Sequence, residues 1–185
     1  MESNEAMRPV VKTKTIAFVA AFSAANAALR VLLVGGPPDV KPTAFLVIIS
    51  GIIGGPMAGV VVGWLSMTLS DLYFGAGIWT IETSAGMAIV GLLAGVLWHK
   101  SNRLGRWVLA VGGFLITMVF DVGTSVADAV LFHYPVWVAM AGLYVPFMVA
   151  GASPYPFGFV DELTTAILLG FMGPSLVSRI RNFYH

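Results

Sequence analysis

The sequence predicts an all-α integral membrane protein, built as a bundle of six transmembrane helices. Of its 185 residues, 58% are hydrophobic and only 10% are charged, whereas soluble domains carry about 25% charged residues. One span needs ~20 predominantly apolar residues, so the chain is long enough for about six crossings joined by short loops. We therefore expect a polar cytoplasmic tail at residues 1–14 and a single six-helix transmembrane domain at residues 15–182.

Six hydrophobic segments are predicted as helices, each bounded by Gly, Pro or polar residues. They cover residues 15–34, 43–54, 56–74, 79–98, 107–132 and 158–181. Helix 1 follows the polar tail and ends at the Gly- and Pro-rich loop 35–42.

Helices 2 and 3 come from one apolar stretch, residues 43–74. As a single helix it would measure ~48 Å, which exceeds a hydrocarbon core of ~30 Å. Because Gly54-Gly55-Pro56 interrupts the stretch and proline breaks a helix interior, we predict two short helices joined by a tight turn.

The second half of the chain is divided by two polar or Pro-rich segments. Helix 4 ends at the polar stretch 99–106, and helix 5 ends at the Pro-, Tyr- and Gly-rich residues 133–157. Within the latter segment, residues 136–150 are apolar enough for a short helix or a re-entrant piece. Helix 6 is expected to bend at Gly173-Pro174.

Lysine and arginine predict the orientation of the bundle. With six crossings, only Arg30 and Lys41 fall on the side away from the termini. The basic residues on the side of the termini are Arg8, Lys12, Lys14, Lys100, Arg103, Arg106, Arg179 and Arg181. We therefore expect both termini in the cytoplasm. A seventh crossing at 136–150 would place the last two arginines outside, so we do not predict one.

Six carboxylates lie in the hydrophobic part of the chain, where charged groups are costly and usually mark a function. They are Asp71, Glu82, Asp121, Asp128, Asp161 and Glu162. The predicted topology places five of the six toward the outer face, on four different helices, and places Asp121 deeper.

Helix 5 shows the clearest polar pattern. Thr117, Asp121, Thr124 and Asp128 recur at i, i+4, i+7 and i+11, so they share one stripe of a helix with 3.6 residues per turn. The stripe is either the polar wall of a cavity open to the outside or a set of hydrogen bonds between helices, which uses the same residue types.

The candidate substrate-binding residues combine this stripe with the other outer carboxylates and two tryptophans. They are Asp71, Trp79, Glu82, Thr117, Asp121, Thr124, Asp128, Trp137 and Asp161. Both tryptophans, with His133, Tyr134 and Tyr144, form either an aromatic lid or a set of membrane-interface anchors. Acids in the first turn of a helix, such as Glu82 and Asp161, also interact favourably with the helix dipole.

No pattern in the sequence indicates an enzyme. The absence of cysteine excludes thiolate chemistry, and Gly123-Thr124-Ser125 is not a nucleophile elbow. There is no H-E-x-x-H sequence and no phosphate-binding Walker A loop. We therefore expect no catalytic residues, no metal site and no cofactor, and any ATP-driven step would need a partner protein.

Helix 1 is unusually rich in alanine, which supplies seven of the fourteen residues at 16–29. Small residues let helices approach closely in lipid, where hydrophobicity drives little association. The alanines form two adjacent rows, Ala17, Ala21 and Ala25 beside Ala20, Ala24 and Ala28. We predict that this face docks on another protein, whereas Gly51, Gly55, Gly59, Gly63, Gly91 and Gly95 serve packing inside the bundle.

With its Ala-rich helix 1 and the segment Ile49–Gly63 (ISGIIGGPMAGVVVG), the chain resembles the substrate-binding S components of energy-coupling factor (ECF) transporters. The resemblance implies capture of a small vitamin or vitamin precursor from outside, in a pocket covered by loops. It also implies docking of an A-x-x-x-A motif, here Ala17/Ala21 or Ala20/Ala24, on a transmembrane T component coupled to two cytosolic ATPases.

The excess of outer carboxylates over Arg30 and Lys41 favours a cationic or hydrogen-bond-donating ligand, such as thiamine, its pyrimidine precursor or a queuosine-type base. Anionic or cobalamin-like ligands fit less well. Two other functions stay open: a stand-alone secondary carrier or channel, and a membrane assembly subunit without a ligand.

Overall fold

The computed structural model describes residues 13–33, 40–101, 104–144 and 159–184, which form seven α-helices and no strand. The helices are α1 (Thr13–Leu32), α2 (Thr43–Gly54), α3 (Pro56–Phe74), α4 (Ile78–Trp98), α5 (Arg106–Leu131), α6 (Val136–Tyr144) and α7 (Val160–Tyr184). The prediction of an all-helical protein is confirmed. Most of the predicted tail and most of the loop at 35–42 lie outside the described residues.

Five of these helices, α1, α3, α4, α5 and α7, are long and apolar enough to cross a membrane. α2 has only 12 residues, as expected for a short helix. The description of helix 3 as short is wrong, because α3 has 19 residues and is a candidate span in its own right. Six crossings, with α2 as the sixth, and cytoplasmic termini remain predictions.

The predicted turn between α2 and α3 lies at Gly55, whose φ of +87° belongs to a region that favours glycine. Pro56 follows at the first helical position, where its missing N–H costs nothing. In α7 the helix continues through Pro174. The described part of the segment 136–150 is the nine-residue helix α6, and residues 145–150 lie outside the described chain.

The centre of the bundle is α2, which packs against α3 and α4. Ten of its twelve residues are buried. Gly51 of α2, Gly59 of α3 and Gly91 of α4 bring the three backbones together: a Cβ atom at Gly59 would lie 2.4 Å from Gly91 O and 2.9 Å from Gly51 Cα. The prediction that these glycines serve internal packing is confirmed.

One end of the bundle, here called the basic end, holds the end of α2, the end of α4 and the last turns of α7. The Arg181 guanidinium donates hydrogen bonds to the carbonyl oxygens of Ile52, Trp98, His99 and Ser101, at 3.1, 3.1, 2.8 and 2.6 Å. A cation at these positions satisfies carbonyl groups that helix ends leave unpaired.

The opposite end, here called the carboxyl end, is where α1, α3 and α5 finish and where α2, α4 and α7 begin. Arg30 near the end of α1 pairs there with Asp71 near the end of α3. Five of the six membrane carboxylates lie within about one turn of the helix ends found here, and Asp121 lies almost three turns before the end of α5.

Candidate substrate-binding site

The polar stripe of α5 faces the interior of the bundle. Thr117 is fully buried, and Asp121, Thr124 and Asp128 are partly buried, whereas Val119, Gly123, Val126 and Val130 on the other side of the helix are exposed. The helical spacing of the stripe therefore directs its side chains toward α4 and α7, not toward lipid.

One carboxyl pair joins α4 to α5. The side chains of Glu82 and Asp128 are within hydrogen-bonding reach of each other, and such a bond requires a proton on one of the two groups. Tyr134, in the segment after α5, lies beside them. Burial raises the pKa of its hydroxyl, and the nearby charges of Asp128 and Glu82 raise it further. Tyr134 is thus half-buried beside this pair and keeps its hydroxyl proton.

A second cluster of carboxyl groups joins α5 to α7. Asp121 is within hydrogen-bonding reach of Glu162 and near Asp161, and Lys41, just before α2, is close enough for a favourable Coulomb interaction with it. Asp161 and Glu162 are 8% and 1% exposed. Because Asp121 and Asp128 are seven residues apart on one helix, the two carboxyl groups of α5 are separated by about 10 Å along its axis.

Several buried polar atoms in this region have no hydrogen-bond partner among the described residues. They include the hydroxyl oxygens of Thr117 and Thr165, both in fully buried residues, and the Oε2 atom of Glu82. Buried polar groups are nearly always hydrogen-bonded, to protein or to an ordered molecule. These atoms are therefore available to pair with a water molecule or a bound ligand.

Asp71 is engaged by the protein itself. Its carboxylate pairs with Arg30, and its Oδ2 atom lies 3.4 Å from the hydroxyl of Thr83. Thr124 also uses its hydroxyl locally, because the oxygen donates to the carbonyl groups of Phe120 and Asp121 in its own helix. The polar groups of both residues thus already have partners within the protein.

The two tryptophans of the predicted site lie outside the buried cluster. Trp79 is 46% exposed and Trp137 is 72% exposed. These exposures suit membrane-interface anchors as well as a lid that is open. His133 is also exposed, and nothing is described of the Tyr144 side chain.

The candidate list drawn from the sequence omitted three residues that the structure brings to the site. Glu162 is one of the six membrane carboxylates, but the sequence does not show that it meets Asp121 of another helix. Thr165 lies three and four residues after the two acids of α7, so helical spacing could have indicated it. Tyr134 is expected from the sequence in an aromatic lid or among the membrane-interface anchors, and it lies beside the Glu82–Asp128 pair.

No metal site is evident in the described chain, because no group of three or more His, Asp or Glu side chains has suitable geometry there. Two cavities with described walls lie away from the carboxyl pairs. One of about 560 Å³ is at the basic end, beside Arg181 and Leu104. The other, of about 270 Å³, lies between α5 and α7, beside Trp107 and Phe171. The cavity open to the outside remains a prediction.

The alanine rows of α1 face away from the bundle. All six predicted docking alanines are exposed, and the buried residues of α1 are Ser23, Asn26 and Ala27. An exposed face of small side chains is smooth and allows a second helix to approach closely. The docking residues are thus placed where a partner could reach them.

Comparison with known proteins gives one match. The family described as "ECF-type riboflavin transporter, S component" matches residues 10–177. No curated protein and no solved structure matches the chain. The family match covers all seven helices apart from the last turns of α7. The chain therefore belongs to the S components of ECF-type riboflavin transporters, a family of membrane-embedded, substrate-binding transport subunits that are not enzymes.

Proposed function

We propose that this S component captures riboflavin, or a vitamin of closely similar chemistry, at the carboxyl end of the bundle. The end faces the outside of a prokaryotic plasma membrane, and the N-terminus is cytoplasmic. The subunit then delivers its cargo by docking on a T component driven by partner ATPases. The observation that carries the proposal is the convergence of carboxyl groups from α4, α5 and α7 beside buried hydroxyl groups that lack a partner.

The chemistry of the site suits an uncharged ligand rich in hydrogen-bond donors. Riboflavin carries hydroxyl groups on its ribityl chain and an imide N–H, and carboxyl oxygens are strong acceptors for such groups. Buried donors and acceptors that find partners only in the correct ligand discriminate strongly against analogues that lack them. We assign hydrogen bonding to the ligand to the side chains of Thr117, Asp121, Thr165 and the Glu82–Asp128 pair.

The charge balance favours this ligand over a cation such as thiamine. Asp71 is neutralised by Arg30, and Asp121 lies near Lys41. Glu82 and Asp128 contact each other in a manner that needs a shared proton. The surplus of negative charge counted from the sequence is therefore smaller at the site itself.

Docking is assigned to the alanine rows of α1. Their exposure and small size support contact with a transmembrane partner. Ala17/Ala21 and Ala20/Ala24 are the two possible registers of the docking motif.

The test is a riboflavin titration of the detergent-purified chain, followed by quenching of riboflavin fluorescence. Asp128→Asn and Asp121→Asn should each weaken binding by about ten- to a hundred-fold, because a hydrogen bond to a charged group contributes about 1.5–3 kcal/mol. Glu5→Gln removes the same charge in the predicted polar tail and serves as the matched control. Equal affinities in all three variants, or no binding by the parent chain, would contradict the proposal.

A further inference from the structure

Arg30 and Asp71 form an ion pair that joins α1 to α3 beside the carboxyl site. The Nη1 atom of Arg30 contacts Asp71 Oδ1 and lies 2.5 Å from the Ser70 hydroxyl. The guanidinium also lies over the Phe74 ring, 5.6 Å from its centre. The Asp71 side chain is only 4% exposed, and a buried carboxylate needs such a partner because an isolated buried charge is costly. The pair therefore fastens the carboxyl end of α1 to α3.

The remainder of α1 is less deeply buried than this end. Its three buried residues, Ser23, Asn26 and Ala27, are all in the half nearer the carboxyl end, and no residue between 13 and 22 is buried. The second polar anchor is close to the first: the Asn26 amide donates to Thr43 O at 3.2 Å. α1 thus has its two polar anchors near one end, whereas its other half contacts the core only through the partly buried side chains of Phe18, Val19 and Phe22.

α3 and α4 form one closely packed unit. A Cβ atom at Gly63 would lie 2.3 Å from Met87 O, and one at Gly91 would lie 2.2 Å from Gly59 O, so the two backbones are in direct contact over about one turn of α3. The hydroxyl of Thr83, next to Glu82 on α4, lies 3.4 Å from Asp71 Oδ2. The ion pair of α1 and α3 therefore lies beside the turn of α4 that carries Glu82.

We propose that the Arg30–Asp71 pair is the positioning contact through which the ligand site and the alanine face of α1 influence each other. Ligand bound between α4 and α5 shifts the α3–α4 unit, and the ion pair converts that shift into a new angle of α1. This inference rests on the proposed function, since it requires a ligand at the carboxyl site. By linkage, docking on the alanine face must change ligand affinity by the same factor as the ligand changes docking.

The experiment measures the angle of α1 directly and needs no partner protein. Because the chain has no cysteine, Ala21→Cys on α1 and Val111→Cys on the exposed face of α5 provide two unique spin-label sites. Electron–electron double resonance on the labelled chain in nanodiscs gives the distance distribution without riboflavin and with saturating riboflavin. We expect riboflavin to shift this distribution in the parent chain and to leave it unchanged after Arg30→Gln.

Two further variants serve as controls. Arg30→Gln leaves a buried carboxylate unpaired, so the double variant Arg30→Gln with Asp71→Asn removes the pair without a stranded charge. It should also lose the shift. Asn26→Leu breaks the neighbouring contact between α1 and α2 and should retain the shift. A loss of the shift in Asn26→Leu would mean that α1 is merely loosened, and would overturn the inference.

Riboflavin binding to every variant is followed in parallel by fluorescence quenching. This measurement separates a failure of the coupling through Arg30 and Asp71 from a failure of the proposed riboflavin binding. A parent chain that binds riboflavin without a change in the distance distribution overturns this inference alone. A retained shift in the double variant also overturns it alone. A parent chain that binds no riboflavin removes the proposed function, and this inference with it.

Discussion

Replacement of Gly59 by alanine tests the packing of the bundle most directly. The new Cβ atom would lie 2.4 Å from Gly91 O, whereas carbon–oxygen contacts of this kind ordinarily measure about 3.3 Å or more. α3 and α4 would therefore have to separate by about 1 Å. The obstacle consists of backbone atoms on two helices, since Gly51 Cα is also within 2.9 Å, so no side chain can rotate away to relieve it.

Overpacking of a well-packed core costs roughly 1–3 kcal/mol, and the rigid surroundings of Gly59 place it near 3 kcal/mol. For a chain of this size, 1 kcal/mol changes Tm by about 2–4 °C, so we expect Tm to fall by about 6–12 °C. The matched control is Gly123→Ala in α5, where no atom lies within 4 Å of the added Cβ. Its Tm should stay within about 2 °C of the parent.

The assay is thermal unfolding of the detergent-purified chain, followed by the fluorescence of its five tryptophans. A Tm for Gly59→Ala that equals the Tm of Gly123→Ala would refute the reasoning, because it would show that α3 and α4 separate at no cost. A lowered Tm together with unchanged riboflavin affinity at low temperature would show that the contact supports the fold and not the ligand directly.

Three other substitutions probe separate parts of the molecule. Arg181→Met should lower Tm by at least about 3–12 °C, because even one hydrogen bond to a charged group is worth about 1.5–3 kcal/mol and four carbonyls lose their donor. Arg179, exposed on the same helix, provides the control: Arg179→Met should leave Tm unchanged, and equal losses would contradict the capping role. Thr165→Val should weaken riboflavin binding about tenfold without lowering Tm, and a stabilised variant with parental affinity would show that no ligand partners this hydroxyl. Ala21→Leu should abolish co-purification with the T component while riboflavin affinity stays parental, and retained co-purification would exclude this face as the docking surface.

The helices were predictable because their limits depend on local chemistry. Gly55 and Pro56 end one helix and begin the next wherever they occur in an apolar stretch, and the observed bounds of α2 and α3 agree with the predicted ones. The inward direction of the α5 stripe was also predictable, since 3.6 residues per turn place Asp121 and Asp128 on one side.

The partners of the carboxylates could not be predicted from the same pattern. Whether Asp71 meets a ligand or Arg30 depends on how far α1 and α3 slide past each other, and the two residues are 41 positions apart. The pairing of Asp121 with Glu162 likewise depends on the register of α5 against α7. Helical periodicity places a residue on a face, but close packing between helices decides which residue on the neighbouring helix it meets.

The dependence of α2 on Arg181 has a consequence for how the chain is made. At ~18 Å, α2 is shorter than a hydrocarbon core of ~30 Å, and the Ile52 carbonyl near its end accepts a hydrogen bond from Arg181 and lies 3.0 Å from Nδ1 of His99. Both residues are synthesised after α2 has left the ribosome. The end of an early helix is therefore completed by the last one, so a nascent chain cut short before α7 would lack the donor that Arg181 supplies to the carbonyl groups at this end.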